Sequence, residues 1–192
     1  MGSSPSAPTY KAWSDAIFDL ETGFARGVSK NPSKNQSRAE PPTFPGRFTA
    51  RAADILVVYL ALQFNADLSD LGTASAPNRT RHLALGVGQS VDAPDGSSSR
   101  VLVSDTWNTK IIDELAPHSG DVVIPKHRYS GFFETDLDTV LRERGITSLI
   151  FTGCTTSVCV ESTLRDAFYR DYRCLRHVAP KKLVAALDDR SN

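Results

Sequence analysis

Two segments of this 192-residue sequence end on side chains that can take part in covalent chemistry. Residues 121–125 (DVVIP) are typical of a buried strand, and Lys126 follows them directly. Residues 147–152 (TSLIFT) are typical of another, and a Gly-Cys-Thr-Thr-Ser turn leads from them toward Cys159. In an open parallel sheet, active sites form at the carboxyl ends of the strands. Lys126 and Cys159 are therefore predicted to meet at one edge of a sheet.

Cys159 is predicted to lie in the first turn of the helix that follows this turn. Unpaired backbone N–H groups and the positive end of the helix dipole stabilise a thiolate there, and a nearby lysine adds to the effect. The turn can also offer N–H groups to a developing oxyanion, so the arrangement favours acyl transfer through a cysteine nucleophile. The alternative is that Cys159 is a small buried hydrophobic side chain, as most cysteines are.

The elements that must hold these residues alternate in kind along the second half of the chain. One helix, between Thr135 as its cap and Gly145 as its stop, has an apolar face made of Leu137, Val140 and Leu141. A second helix has apolar residues at helical spacing, namely Val160, Leu164, Ala167 and Phe168. Strand, helix, strand and helix at this spacing predict parallel strands with helical crossovers, hence a layered α/β sheet.

The first half of the chain is less regular. Residues 28–46 are polar and rich in proline, which predicts a long loop because such a stretch buries too little apolar surface to order itself. Residues 55–64 (ILVVYLALQF) predict a strand buried on both faces, and residues 65–98 are interpreted as loop. Residues 100–104 predict a short strand, and a short helix is predicted to begin at Trp107.

The composition excludes several classes of protein. The 22 basic and 22 acidic residues cancel, so no net field attracts nucleic acid or a membrane surface, and neither partner is predicted. No apolar run is long enough to span a bilayer, and no apolar stretch of the signal-peptide type lies near Met1. The odd number of cysteines does not make a disulfide framework. We therefore expect a cytoplasmic protein with a single domain over residues 1–192.

The residues around Lys126 and Cys159 also resemble a known family. Lys126 precedes a Tyr-Ser-Gly-Phe segment at 129–132, and Cys159 lies in the motif Gly-x-x-Thr-x-x-Cys-Val that begins at Gly153. Together these motifs resemble the core signature of the isochorismatase-like cysteine hydrolases, above all the ureidoacrylate amidohydrolase and biuret hydrolase branch. Over residues 55–172 the resemblance implies a three-layer α/β/α, Rossmann-like parallel sheet. It also implies hydrolysis of a small ureido- or carbamoyl-type amide through a thioester.

The resemblance assigns roles to single residues. Cys159 matches the family's nucleophile and Lys126 its catalytic lysine. The backbone N–H groups of Thr155 and Cys159 match the oxyanion hole. Trp107 and Tyr129 are candidates for lining the substrate pocket, although aromatic residues at such positions are as often part of a core.

The third catalytic residue of the family is an aspartate at the end of the first strand. Asp19, in the string AIFDLETGF, is the best match, and Phe24 matches the aromatic residue that follows, a candidate substrate contact. Leu-Glu-Thr stands after Asp19 where the family has Met-Gln-Asn. Asp15 and Asp54 are weaker candidates, since Asp54 precedes its strand instead of following one.

No metal ion and no cofactor are predicted. The four histidines do not show the Asp-x-His-x-x-His spacing of the related nicotinamidases, and His127 is interpreted as a neighbour at the pocket rim. Two alternatives to amide hydrolysis remain. One is a catalytically degenerate relative with a binding or regulatory role, and the other is a redox sensor that pairs Cys159 with Cys154.

The C-terminal part departs from the family. Relatives continue past Tyr172 with further strands and a helix, whereas here Arg173 and Arg176 interrupt the expected apolar strand. The sheet is therefore predicted to lack its C-terminal strand and helix. An exposed edge invites pairing with another chain, so a homo-oligomer, either a dimer or a tetramer, is predicted.

Overall fold

A computed structural model describes residues 16–19, 50–51, 54–111, 113–153 and 155–176. Within these ranges the strands are β1 (Ala16–Asp19), β2 (Leu56–Leu62), β3 (Ser90–Asp92), β4 (Ser98–Arg100), β5 (Val122–Lys126), β6 (Ser148–Thr152) and β7 (Arg173–Arg176). The α-helices are α1 (Pro77–Ala84), α2 (Leu137–Glu143) and α3 (Glu161–Phe168). Short 3-10 turns lie at Ser69–Leu71, Trp107–Thr109 and Asp113–Leu115, and a π-helix lies at Thr156–Val160. In these ranges no helix has the length and apolar character needed to cross a membrane.

Five strands form one sheet in the order β5-β2-β1-β6-β7. Every pairing in this sheet is parallel, so the chain must cross over between neighbouring strands. Helix α2 lies between β5 and β6 in the chain, and α3 lies between β6 and β7. Strands β3 and β4 form a separate antiparallel hairpin. The parallel sheet with helical crossovers confirms the predicted α/β, Rossmann-like class.

Apolar side chains cover both faces of the sheet, as the continuous apolar run of β2 predicts. One face carries Val58 and Leu60, which belong to the same buried cluster as residues of α2 and α3. The other face carries Val57 and Tyr59, which pack with Ala50. Because successive residues of a strand point to opposite faces, β2 contributes to both layers of the core.

Between β2 and β5 the structure corrects the sequence-based prediction. The loop predicted over 65–98 contains α1 and the β3–β4 hairpin. Helix α1 starts with Pro77, whose missing N–H is not needed there, and His82 is its one buried residue, so no apolar periodicity marks it. The strand predicted over 100–104 covers only the first of these residues, because Leu102 adopts a left-handed conformation (φ 53°) that ends extended backbone.

The prediction of a helix beginning at Trp107 is also wrong, because two separate 3-10 turns occupy this part of the chain. The side chain of Asn108 binds the preceding loop, where its Oδ1 accepts the N–H of Leu102 at 2.8 Å. Bonds of this kind offer the backbone an alternative to continuing as a helix.

A strand forms at the C-terminal side although Arg173 and Arg176 are expected to interrupt it. The prediction that this strand is lost is therefore wrong, and β7 pairs with β6 along its whole length. As an edge strand, β7 needs only one buried face: Cys174 is half-buried, while Arg173 and Leu175 are exposed. The residues after Arg176, where the missing helix is predicted, and the predicted loop at 28–46 lie outside the described residues.

Candidate active site

The positions predicted to carry catalysis lie at the carboxyl edge of the sheet. Asp19 ends β1, the central strand, and pairs in register with Tyr59 of β2 and Thr152 of β6. Lys126 ends β5, and Cys159 follows β6 in the π-helix. For β1 the structure describes the backbone, and that backbone brings position 19 to the edge at which the lysine and the cysteine lie.

Lys126 is almost completely buried, with 2% of its surface exposed. Its Nζ donates to the carbonyl of Arg128 at 2.8 Å and to the carbonyl of Tyr129 at 3.1 Å. Cys159 is a third partner of the same ammonium group, through a side-chain hydrogen bond. Burial lowers the pKa of Lys126 and Cys159 raises it by less, so the pKa lies below its ordinary 10.5. Two carbonyls and one sulfur thus match the three N–H donors of an ammonium.

The helix that carries Cys159 begins as a π-helix at Thr156–Val160 and continues as α3, so Cys159 lies near the start of a helix, as predicted. The carbonyl of Thr155 accepts the N–H of Val158 at 3.2 Å and that of Val160 at 3.3 Å. Turns of the π type are rare and occur frequently at functional sites. The thiol of Cys159 is free and half-buried, so a small molecule can reach it while it contacts Lys126.

The predicted oxyanion donors lie in this same turn. Thr155 is exposed and has an extended backbone (φ −86°, ψ 133°) directly before the π-helix. Backbone N–H groups at the start of a helix have no partner within the helix, so this segment is suited to bind an oxyanion. The assignment of the N–H groups of Thr155 and Cys159 to that role stays a prediction.

The residues predicted to contact substrate or to lie at the pocket rim are spread over several parts of the chain. Trp107 is half-buried in a 3-10 turn, in the part of the chain that follows β4. Phe24 lies outside the described residues. His127, interpreted as a neighbour at the pocket rim, contacts the exposed Glu134 through Nε2 at 3.0 Å. Tyr129 acts on the site through its carbonyl, while its ring packs toward α1. Contact of these aromatic residues with substrate stays a prediction.

His82 is a buried residue of this region that no strong sequence pattern marks. Its Nδ1 lies 2.8 Å from the carbonyl of Asn78, which requires a proton on Nδ1, and its ring lies 5.4 Å from the ring of Tyr129. Burial lowers the pKa of His82, and the Asn78 carbonyl raises it. Nearby positive charges lower it further, and they come from Arg128, Arg81 and Lys126. The only signal in the sequence is the spacing of four residues from Asn78 on a polar helix.

The other cysteine that the structure describes is a structural one. The sulfur of Cys174 lies 3.4 Å from the carbonyl of Tyr172, and burial raises the pKa of its thiol. Cys154, the partner in the redox-sensor alternative, lies outside the described residues. Among the described side chains, no group of three His, Cys, Asp or Glu could hold a metal ion.

The fold places the chain in one class with cysteine hydrolases of known structure. A cysteine hydrolase from Pseudomonas syringae pv. phaseolicola superposes with a TM-score of 0.61 at 30% identity, over 85% of this chain and 69% of that one. The N-carbamoylsarcosine amidase of Thermoplasma acidophilum superposes with a TM-score of 0.57 at 27% identity, over 84% of this chain and 78% of that one.

The sequence profile of the isochorismatase domain matches residues 17–190, and the chain belongs to the isochorismatase family. The ureidoacrylate amidohydrolase RutB of Agrobacterium fabrum is 44% identical over 123 residues, which are 64% of this chain and 53% of that protein. The RutB of Rhizobium rhizogenes is 44% identical over the same length, 49% of that protein. The chain thus spans about half the length of the curated relatives it matches. The predicted membership of a family of hydrolases is confirmed.

Proposed function

We propose that the chain cleaves the C–N bond of a small ureido- or carbamoyl-type amide, with Cys159 as the nucleophile. The observation that carries this proposal is the buried Lys126, whose Nζ is held by two carbonyls and contacts Cys159. A positive charge fixed beside a sulfur in a buried site stabilises the thiolate, the form that attacks a carbonyl carbon. The names of two relatives, ureidoacrylate amidohydrolase and N-carbamoylsarcosine amidase, support a carbamoyl or ureido carbonyl as the target.

The reaction proceeds in two steps. A bond forms between the sulfur of Cys159 and the carbonyl carbon, and the carbonyl oxygen becomes an oxyanion beside the start of the π-helix. The C–N bond then breaks. Asp19, at the carboxyl end of the central strand, takes the thiol proton and passes it to the departing amine. Water attacks the resulting thioester (an S-carbamoyl group for a ureido substrate), which releases the acid and restores the thiol.

The charges near the site favour a substrate that carries a carboxylate. Arg81, Arg128 and Lys126 all act on the imidazole of His82, so three positive charges are gathered at this edge. Lys126 is bound to Cys159 and to carbonyls, and Arg128 donates to two backbone carbonyls. Arg81 is exposed and contacts the ring of Tyr129, with 5.9 Å between guanidinium and ring centroid. Of the three cations, Arg81 is the one placed to bind the carboxylate of ureidoacrylate.

Ammonia release from ureidoacrylate, biuret and N-carbamoyl amino acids tests the proposed function. Cys159→Ser nearly preserves the shape of the side chain but replaces the sulfur with a poorer nucleophile, so we expect kcat to fall at least roughly 1000-fold. Cys174→Ser is the matched control, because Cys174 lies on β7 and packs toward α3, away from the carboxyl edge. We expect this variant to retain most of the activity.

Two results would contradict the proposal. A Cys159→Ser variant as active as the unaltered chain would exclude Cys159 as the nucleophile. A chain without activity on any of these amides would instead favour the alternative, a catalytically degenerate member of the family with a binding or regulatory role.

A further inference from the structure

Thr163, on α3, connects the two halves of the candidate site. Its side chain is completely buried. The Oγ1 atom donates to the carbonyl of Cys159 at 2.8 Å and accepts the N–H of Gly131 at 3.0 Å. A hydroxyl has one donor hydrogen and can also accept, so Thr163 uses both capacities on backbone groups of the site.

Gly131 belongs to the loop that holds Lys126. The carbonyls that bind Lys126 Nζ come from Arg128 and Tyr129, directly upstream in the same loop. The loop packs closely against β2, because a β-carbon at position 131 would lie only 2.4 Å from Cδ1 of Leu60. A hydrogen bond to Gly131 therefore fixes a segment that has little room to adjust.

We propose that Thr163 is a positioning residue that sets the separation between the sulfur of Cys159 and Nζ of Lys126. The contacts run from the Cys159 carbonyl through the Thr163 hydroxyl to Gly131, and from there along the loop to the lysine. The inference rests on the proposed function, because it concerns the same two side chains. The energy between a thiolate and an ammonium depends on their distance, so losing the link changes the reactivity of the cysteine.

Thr80 provides a comparison for the two hydrogen bonds that Thr163 makes. In helices, a threonine hydroxyl often bonds to the carbonyl four residues earlier. Thr80, on α1, makes this local bond to Ala76 at 3.4 Å and is exposed. Thr163 makes the local bond and adds a second one to a residue 32 positions away in the chain. Thr80 therefore supplies a control for the local bond alone.

The experiment compares variants that differ in the hydroxyl. Thr163→Val keeps the shape of the side chain without the hydroxyl, and Thr163→Ser keeps the hydroxyl. The measurements are kcat and KM for ammonia release from ureidoacrylate, and the rate of iodoacetamide alkylation at Cys159 against pH, followed by peptide mass spectrometry. For Thr163→Val we expect kcat to fall roughly 10-fold to 100-fold, KM to change less than about 3-fold, and the alkylation profile to move to higher pH. Thr163→Ser should retain the kcat and the alkylation profile of the unaltered chain. Thr80→Val should change neither kcat nor the alkylation profile.

Some outcomes overturn the proposal. If Thr163→Val lowers the melting temperature but leaves kcat and the alkylation profile unchanged, Thr163 is only structural. If Thr163→Val does not fold, the pair Thr163→Ser and Thr163→Ala makes the same comparison, because these two variants differ by the hydroxyl. Equal alkylation profiles for this pair would overturn the proposal. If the unaltered chain hydrolyses no amide, the proposed function fails, while the alkylation profiles still decide whether Thr163 positions Cys159.

Discussion

Lys126 is a charged side chain among buried groups, and its partners explain how the protein accommodates it. Removing an ammonium from water costs several kcal/mol unless other groups replace the lost hydrogen bonds. Two backbone carbonyls and the sulfur of Cys159 supply those bonds. Burial lowers the pKa of Lys126, and Cys159 acts in the opposite direction. The charge state of the lysine therefore depends on the cysteine beside it.

The position of Arg81 leads to a prediction about substrate charge. Its guanidinium lies over the ring of Tyr129, whose carbonyl holds Lys126. Arg81→Gln removes the positive charge and keeps a polar side chain, so we expect KM for ureidoacrylate to rise roughly 10-fold. KM for biuret, which is neutral, should change little. Steady-state kinetics with the two substrates measure the difference.

The control for this prediction is Arg144→Gln. Arg144 follows α2 and precedes β6, so it lies toward the amino edge of the sheet, opposite the candidate site. We expect it to leave both KM values unchanged. Equal increases in KM for ureidoacrylate and biuret in Arg81→Gln would show that Arg81 does not recognise the carboxylate.

At the scale of elements, an ion pair ties the segment before β2 to the start of β5. Arg51 Nε donates to Asp121 at 3.2 Å, and a second nitrogen of the same guanidinium bonds both Asp121 and the hydroxyl of Tyr59. The N–H of His118 donates to the same carboxylate at 2.8 Å. Burial by itself would raise the pKa of Asp121, but these bonds outweigh it, and the pKa lies below its ordinary 3.8.

This ion pair predicts how stability depends on pH. A carboxyl whose pKa is lower in the folded state stabilises the fold above its unfolded pKa, and this contribution is lost as the pH falls through the folded pKa. We expect Asp121→Asn to lower the free energy of unfolding by roughly 2 to 3 kcal/mol at neutral pH, since it weakens hydrogen bonds to a charged group. The difference from the unaltered chain should shrink below about pH 4.

Urea unfolding at a series of pH values measures this effect. Asp113→Asn is the control, because Asp113 is exposed and we expect its replacement to matter little at any pH. A stability difference for Asp121→Asn that stays constant into acid would show that the ionised carboxylate is not what joins β5 to the segment before β2.

At the scale of the whole molecule, α3 and the residue after it expose large aromatic side chains. Phe168 is 65% exposed and Tyr169 is 73% exposed. They line a groove of about 540 Å³ together with Glu161, Leu164 and Arg165. Glu161 and Arg165 pair with each other along α3 at 2.5 Å, so the aromatic side chains are the main feature that this groove offers to a partner. Exposed apolar patches of this kind mark interaction surfaces.

The homo-oligomer stays a prediction, and this groove is the surface at which we expect a second copy to pack. Light scattering coupled to gel filtration should then give the mass of a dimer or tetramer, and Phe168→Ser should lower it. Leu85→Ser is the control, because Leu85 is also exposed (48%) but lies after α1. A monomeric unaltered chain, or a Phe168→Ser variant of unchanged mass, would contradict this prediction.

Local patterns predict the elements that are buried or clearly capped. The apolar run of β2 predicts a strand covered on both faces, and α2 stops where the residue types place its end. Its N-cap is Asp136, one residue after the predicted Thr135. Thr135 Oγ1 accepts the N–H of Leu137 at 3.3 Å, and Gly145 takes the left-handed conformation (φ 66°). The same patterns fail for α1 and β7, because a polar surface helix and an edge strand bury too few of their own side chains to leave a periodic signal.

By itself, the sequence determines which groups are present to react: Cys159 after one strand and Lys126 after another, in the motifs of the isochorismatase family. Only the tertiary structure decides what holds them. The carbonyl of Tyr129 is a backbone atom, which every residue type carries, so no residue type could mark it. The bond between Thr163 and Gly131 joins residues 32 positions apart, and it exists because α3 packs beside the loop after β5. Distances between separately folded elements arise from packing, which local sequence does not encode.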